Sequence, residues 1–231
     1  MDPIKGWRNV FIDPRDGRVN PIEGCTFRFG KGRAWGSLPA SSDARHFDLN
    51  ETYLCGGGLL IRGATEKTLS VSGCVFSRCS AHEGGRIFLV ASRIDIGKCT
   101  FDSCTAGVSG GGIFCLDASS NVRGCTFTGC SADKGGGGMA CHLSNPVIDN
   151  CSFERCLSKF LYGGGLHCAG SAPAVSGCRF VRCSASKDGG GVYCDEGSSP
   201  RIHQTTFTDC VPNGSNSSPK HTPPGSKGRF L

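Results

Sequence analysis

"GCTFTGCSADKGGGGMAC", residues 124–141, holds three cysteines and four consecutive glycines. Each feature suggests a chemistry of its own: thiolates for zinc, paired sulfurs for a disulfide, or a glycine loop for phosphate. Recurrence decides among them. C-x-F-x-x-C appears at Cys74/Phe76/Cys79, Cys99/Phe101/Cys104, Cys125/Phe127/Cys130, Cys151/Phe153/Cys156 and Cys178/Phe180/Cys183, and a degenerate copy, Thr205/Phe207/Cys210, closes the series. The steps between first positions are 25, 26, 26, 27 and 27 residues.

Other columns keep the same period. Three residues before each first position stands Val71, Ile96, Val122, Ile148, Val175 or Ile202. Small residues, Ala81, Ala106, Ala132, Ser158 and Ala185, follow two places after the second cysteines. A glycine arm comes next (Gly84-Gly85-Arg86, Gly110 to Gly112, Gly135 to Gly138, Gly163 to Gly165, Gly189 to Gly191), then Ile87, Ile113, Met139, Leu166 or Val192. Two places further on are Leu89, Cys115, Cys141, Cys168 and Cys194. Upstream, Ile22, Cys25 and Phe27 match their columns, Gly30 stands where a second cysteine belongs, and "GGGLLI" at 56–61 supplies an arm after an insertion over about residues 31–55. Val10-Phe11-Ile12 fits the end of a still earlier arm.

No unit contains ten residues of helical periodicity. Short alternating runs such as "NVRGCTF" and "GGIFC" lie between Gly, Ser, Pro and Asp turn signals. Three short strands per unit describe one coil of a parallel β-helix, with equivalent residues stacked about 4.8 Å apart. The expected fold is all-β: a single-stranded right-handed parallel β-helix, a solenoid of about seven rungs. Residues 1–55 would form the first rung or rungs plus an insertion or cap, 56–211 the regular coils, and 212–231 a disordered Pro/Ser/Gly-rich tail. Two ladders would hold the coils together: Phe76, Phe101, Phe127, Phe153, Phe180 and Phe207, and Cys79, Cys104, Cys130, Cys156, Cys183 and Cys210. Burying each phenylalanine contributes about 1.5–3 kcal/mol.

The "GGGI", "GGGL" and "GGGV" arms paired with F-x-x-C resemble the GGAI and FxxN repeats of chlamydial polymorphic outer membrane proteins. They are similar also to the wider right-handed β-helix proteins of the pectin lyase-like superfamily. The resemblance covers roughly residues 55–210 and implies the fold, with an extracellular or cell-surface setting. One departure is systematic: cysteine stands where the family has the asparagine of F-x-x-N. An asparagine ladder hydrogen-bonds along the axis, whereas the cysteines read mainly as small apolar filler.

The periodicity also answers the opening question. Zinc wants four convergent ligands in close pairs, and here C-x₄-C recurs once per coil without matching histidines. Disulfides stay open: stacked cysteines lie within range, their Cβ vectors run parallel instead of converging, and the balance turns on compartment, mostly free thiols inside the cell and the reverse if secreted. A phosphate loop needs G-x-x-x-x-G-K-[ST] opening a helix, and "DKGGGGMAC" has its lysine before the glycines. No cofactor is implied. With 36 glycines, 17 cysteines, 19% charged residues and a net charge of +6 dispersed until the tail, the chain lacks the basic stripe and module signatures of nucleic-acid binding. No apolar run is long enough for a transmembrane helix, and no signal peptide is visible. Decay in the last rung suggests that the chain is part of a longer repeat protein.

Pectin lyase-like enzymes need clustered carboxylates. The signatures N-T-D, D-D, G-H-G and R-I-K are missing, and Asp102, Asp117, Asp133, Asp149, Glu154, Asp188, Asp195 and Glu196 fall in different columns. His142 and His167 lie on adjacent coils, one column apart, without supporting carboxylate or cysteine ligands, so no metal site is expected. The column after the glycine arm reads Leu60, Phe88, Phe114, Ala140, His167, Tyr193 and points outward. If exposed, Phe88, Phe114, His167 and Tyr193 make a flat strip suited to a glycan or a cell-surface protein; the alternative is that the insertion or a loop covers them. Sequons at Asn50, Asn150, Asn213 and Asn216 are compatible with an extracellular site. The expectation is a non-catalytic β-helix module with a surface-binding, adhesin-like role; the alternative is a polysaccharide lyase or glycoside hydrolase on the same scaffold.

Overall fold

A computed structural model describes residues 10–12, 22–28, 59–82, 84–195, 197–212 and 229–230. The insertion at 31–55, Gly30, Gly56 to Gly58, and 213–228 of the tail lie outside the described residues. Within them the chain winds as a parallel β-solenoid with no α-helix.

The coil containing the opening stretch shows the plan. It runs through strands Asn121–Arg123, Thr126–Thr128, Ser131–Ala132 and Met139–His142, one in each of four sheets numbered I to IV in that order. Each strand pairs in parallel with its counterparts one coil away, so that Val122 lies between Ile96 and Ile148, and Phe127 between Phe101 and Phe153. Sheets I to IV contain seven, seven, six and eight strands. Among the described residues these make five complete four-strand turns with a partial turn at each end. Val10–Ile12 pairs with Leu59–Ile61 as the earliest arm.

Two expectations are corrected. A coil has four strands, not three. The pair after the second cysteine forms its own narrow ladder, Ser80–Ala81 to Val211–Pro212, because the chain bends at the residue before each of those cysteines. Residues 212–231 are not wholly irregular either: Pro212 ends a sheet III strand, and Arg229–Phe230 pairs antiparallel with Tyr193 and Cys194 at the edge of sheet IV.

The phenylalanine ladder is present as expected. From Phe76 to Phe207 the ring centroids are 4.9, 4.7, 4.6, 4.5 and 5.0 Å apart, with planes within 11°. The rings stack face over face because the backbone spacing repeats at ring-stacking distance. One apolar core contains this ladder, the β-branched column and the three cysteine columns. Among the described residues no disulfide joins two cysteines.

Those thiols do more than fill space, which corrects the filler reading. Most corners before sheet II or III are a left-handed residue followed by an inward cysteine: Lys98 (φ 53°) before Cys99, Arg155 (φ 52°) before Cys156; in the last coil Gln204 is followed by Thr205. The thiol contacts the carbonyl two residues back and a column carbonyl on the preceding coil. Cys125 reaches Arg123 at 3.5 Å and Ile96 at 3.7 Å, and Cys130 reaches Thr128 at 3.7 Å and Phe101 at 3.4 Å. S–H is a weak donor, yet the pattern repeats at most of these corners. Between sheets IV and I serine takes this role. Ser144 donates to His142 O at 2.7 Å and accepts from Ala118 N at 2.9 Å, and Ser171 accepts from Ser144 N at 3.0 Å.

The glycine arm is fixed by close approach. A Cβ on Gly138 would sit 2.6 Å from Phe153 Cδ1, and one on Gly112 would sit 2.7 Å from Phe127 Cδ1. The arm therefore lies against the ring of the next coil, where glycine fits without displacing it; in the first of these arms Arg86 takes the same column, its guanidinium 5.4 Å from the Phe76 ring centroid. Truncating Phe153 to alanine should remove two stacking contacts and leave a cavity, lowering unfolding free energy by about 3–5 kcal/mol in urea melts. A loss below about 1 kcal/mol would show that the ladder is not a principal source of stability.

Candidate functional site on the outer face of sheet IV

Sheet IV strands alternate inward and outward. In Ile113–Leu116 the side chains of Ile113 and Cys115 enter the core, and those of Phe114 and Leu116 face away from it. Parallel pairing then assembles two outward columns. One runs Leu60, Phe88, Phe114, Ala140, His167, Tyr193, and the other runs Arg62, Val90, Leu116, His142, Ala169.

The structure brings the four candidate residues into one column, as expected, but not into solvent. Phe88, Phe114, His167 and Tyr193 are only 1%, 3%, 8% and 8% exposed. Of the two readings left open, an exposed strip and a covered one, these exposures match the covered one. Phe88 and Phe114 stack at 5.0 Å and, with Leu60, Val90 and Ala140, form a second apolar cluster separate from the core.

Beyond Phe114 the face becomes polar. His142 meets the Phe114 ring edge-on at 4.8 Å and lies 5.7 Å from His167, which is 5.6 Å from Tyr193. His167 Nε2 is 3.4 Å from Asp195 Oδ1, while His167 Nδ1 and His142 Nε2 are buried without a hydrogen-bond partner. Burial first, and neighbouring His167 second, hold the His142 imidazole down at about 4, with Asp195 pulling the other way. Burial, and then the charge of Asp195, push the Tyr193 phenol up to about 12. Tyr193 also stacks on Tyr162 at 4.2 Å, and Lys187 Nζ lies 5.5 Å over the Tyr162 ring. Phe160, two residues before Tyr162, is 63% exposed. Sequence reasoning missed Phe160 and Tyr162 because "KFLY" at 159–162 stands in a segment of varying length and no repeat, which elsewhere reads "HE", "GVS", "DK" and "SKD".

Among the described residues no three His, Cys, Asp or Glu side chains are grouped to hold a metal ion. Burial pushes the Cys74 thiol up to about 11.

Residues 57–220 match a family model described as "Right handed beta helix region". The chain belongs to the right-handed β-helix family. No curated protein and no solved structure matches it.

In this β-helix protein the acidic residues of sheets I and II do not meet. Asp95 lies between Ser70 and Asn121, Asp102 between Ser77 and Thr128, Asp149 between Arg123 and Ser176, and Glu154 between Thr128 and Val181. Each carboxylate in these strands has neutral or basic neighbours on both adjacent coils.

The His142 site has a pH signature. Its folded value lies below the unfolded value near 6.5, so between those limits the unfolded chain binds the extra proton. Stability should fall as pH drops from about 6.5 to about 4. Denaturant midpoints across that window should fall less for His142→Leu than for the parent chain; parallel profiles would mean that His142 protonates freely in the folded state.

Proposed function

We propose that the protein is a non-catalytic β-helix binding module, adhesin-like and working at a surface outside the cell. The observation that carries this reading is the separation of carboxylates from column to column on sheets I and II. Glycoside hydrolysis needs two carboxyl groups flanking the scissile bond, and β-elimination needs an acidic cation site beside a base. A repeat with neither serves better as a rigid rod that displays side chains. Its resemblance to the chlamydial polymorphic outer membrane repeats supports the surface setting.

The binding surface in this reading is the polar end of sheet IV and its margin. Phe160 and the Tyr162–Tyr193 pair, with Lys187 above it, offer aromatic faces and a cation at one edge of the tube, a combination suited to stacking on sugar rings with a nearby acidic group. Phe88 and Phe114 would support that surface from beneath instead of touching ligand.

A glycan array, followed by titration of any hit against Phe160→Ala and Tyr162→Ala, tests the assignment. Binding should weaken by roughly tenfold or more in each variant, with unfolding midpoints close to the parent's. Release of reducing ends or unsaturated products from any polysaccharide would overturn the non-catalytic reading.

A further inference from the structure

The inward cysteines of sheet IV form a column unlike the two at the corners. Cys115 pairs in register with Cys141, Cys141 with Cys168, and Cys168 with Cys194, so four thiols follow one another on consecutive coils. None is more than 2% exposed, and Leu89 precedes Cys115 in the same column. The corner thiols reach carbonyls, as Cys125 and Cys130 do. Cys115, Cys141 and Cys168, by contrast, donate to no carbonyl among the described residues. The Cys141 thiol meets those of Cys115 and Cys168 instead, and the Cys168 thiol meets that of Cys194.

The spacing selects what fits between these sulfurs. On the outward side of the same strands the Phe88 and Phe114 rings stand 5.0 Å apart, and the sheet II rings repeat at 4.5–5.0 Å. Cysteines in the same parallel register keep that step. A disulfide needs convergent Cβ atoms about 3.5–4.5 Å apart, so forming one strains the ladder. A thiolate–metal bond is about 2.3 Å long, so two sulfurs on opposite sides of one ion stand about 4.6 Å apart, which matches the step. Each level offers two sulfurs, short of the four ligands that zinc wants. It also accords with the lack of any group of three ligating side chains among the described residues.

We propose that the column Cys115–Cys141–Cys168–Cys194 takes up soft monovalent cations of the copper(I) class, one held in line between each pair of consecutive sulfurs. Thiolate sulfur is the soft ligand that selects copper(I), and charge favours a monovalent ion. Entry of one cation breaks one S–H bond; the sulfur keeps the electron pair and binds the cation, and the proton leaves to solvent. The next sulfur completes the line with a lone pair. Three ions thus replace three protons while the fourth thiol keeps its hydrogen, and the column stays neutral inside an apolar core, where net charge is costly. Three divalent ions among four thiols would leave a buried positive charge even with every proton gone. A filled column would tie four coils together through metal–sulfur bonds, independently of any ligand bound on the outer face.

The test is the copper retained by the full chain after reduction, refolding from urea without oxygen in the presence of copper(I), and washing with a copper(I) chelator. Refolding loads the column as the coils close, and circular dichroism checks that each variant regains the parent's β signal. Cys115→Ala, at the end of the column, removes one inter-sulfur step and should lose about one ion per chain. Cys141→Ala, in the interior, removes two steps and should lose about two ions; Cys168→Ala is a second interior variant with the same expected loss. X-ray absorption should show each copper between two sulfurs. Equal losses from end and interior variants, no retained copper, or copper held by three or four sulfurs would overturn the proposal.

Discussion

Parallel pairing between consecutive coils places residue on like residue at one interstrand step, and the rest of the molecule follows from that spacing. A ring under a ring at 4.5–5.0 Å is close to aromatic stacking distance, so phenylalanine suits every level of sheet II. An arm lying against that ring leaves little room for a Cβ, so glycine recurs opposite phenylalanine in every described arm but the one with Arg86. The two columns have one cause: Gly138 is glycine because Phe153 lies beneath it, and Gly112 because Phe127 does. A solenoid of this kind has little sequence freedom inside and much outside, where Asp102, Thr128, Glu154 and Val181 succeed one another in one outward column.

Corners impose the second constraint. Each needs a residue in the left-handed region, and the chain uses arginine, lysine, asparagine or aspartate there as readily as glycine. The residue that follows is an inward cysteine at most corners before sheets II and III, and a serine at several before sheet I, as at Ser92, Ser144 and Ser171. The donor reaches a carbonyl where the ladder turns and the regular backbone pattern is interrupted. The thiol supplies a hydrogen to a corner carbonyl at lower desolvation cost than a carboxamide would. The recurrence of cysteine thus follows its position in the coil.

Much of this was legible in the sequence, since a column that must be apolar, small or glycine at each turn leaves a period. Phe76 to Phe207, the cysteines, and even the early arm at Val10 to Ile12 declare themselves in that way. Sheet III was harder to read, because two-residue strands such as Ser131–Ala132 carry no alternation. The serine ladder escaped because Ser120 and Ser144 are not held at one constant spacing from the glycine arm. The sequence left Phe88 and Phe114 open between an exposed strip and a covered one. Alternation distinguishes sides that face the core from sides that do not, but it says nothing about whether an outward side chain reaches water. The polar half of that face was half-seen: His142 and His167 were noticed as neighbours, while Tyr162 lies in a loop with no period to reveal it.

If registered stacking is what specifies the fold, the chain should tolerate loss of a whole coil and not of half a coil. Deleting residues 125–150 joins Gly124 to Cys151, returns Phe153 to a place next to Phe101, and removes one complete 26-residue unit. Thermal and urea unfolding of this variant, followed by circular dichroism, should show a β-structured protein that melts cooperatively at somewhat lower stability. A matched deletion of residues 125–137 breaks every column and should not fold. Equal behaviour of the two deletions, both folded or both unfolded, would contradict the account.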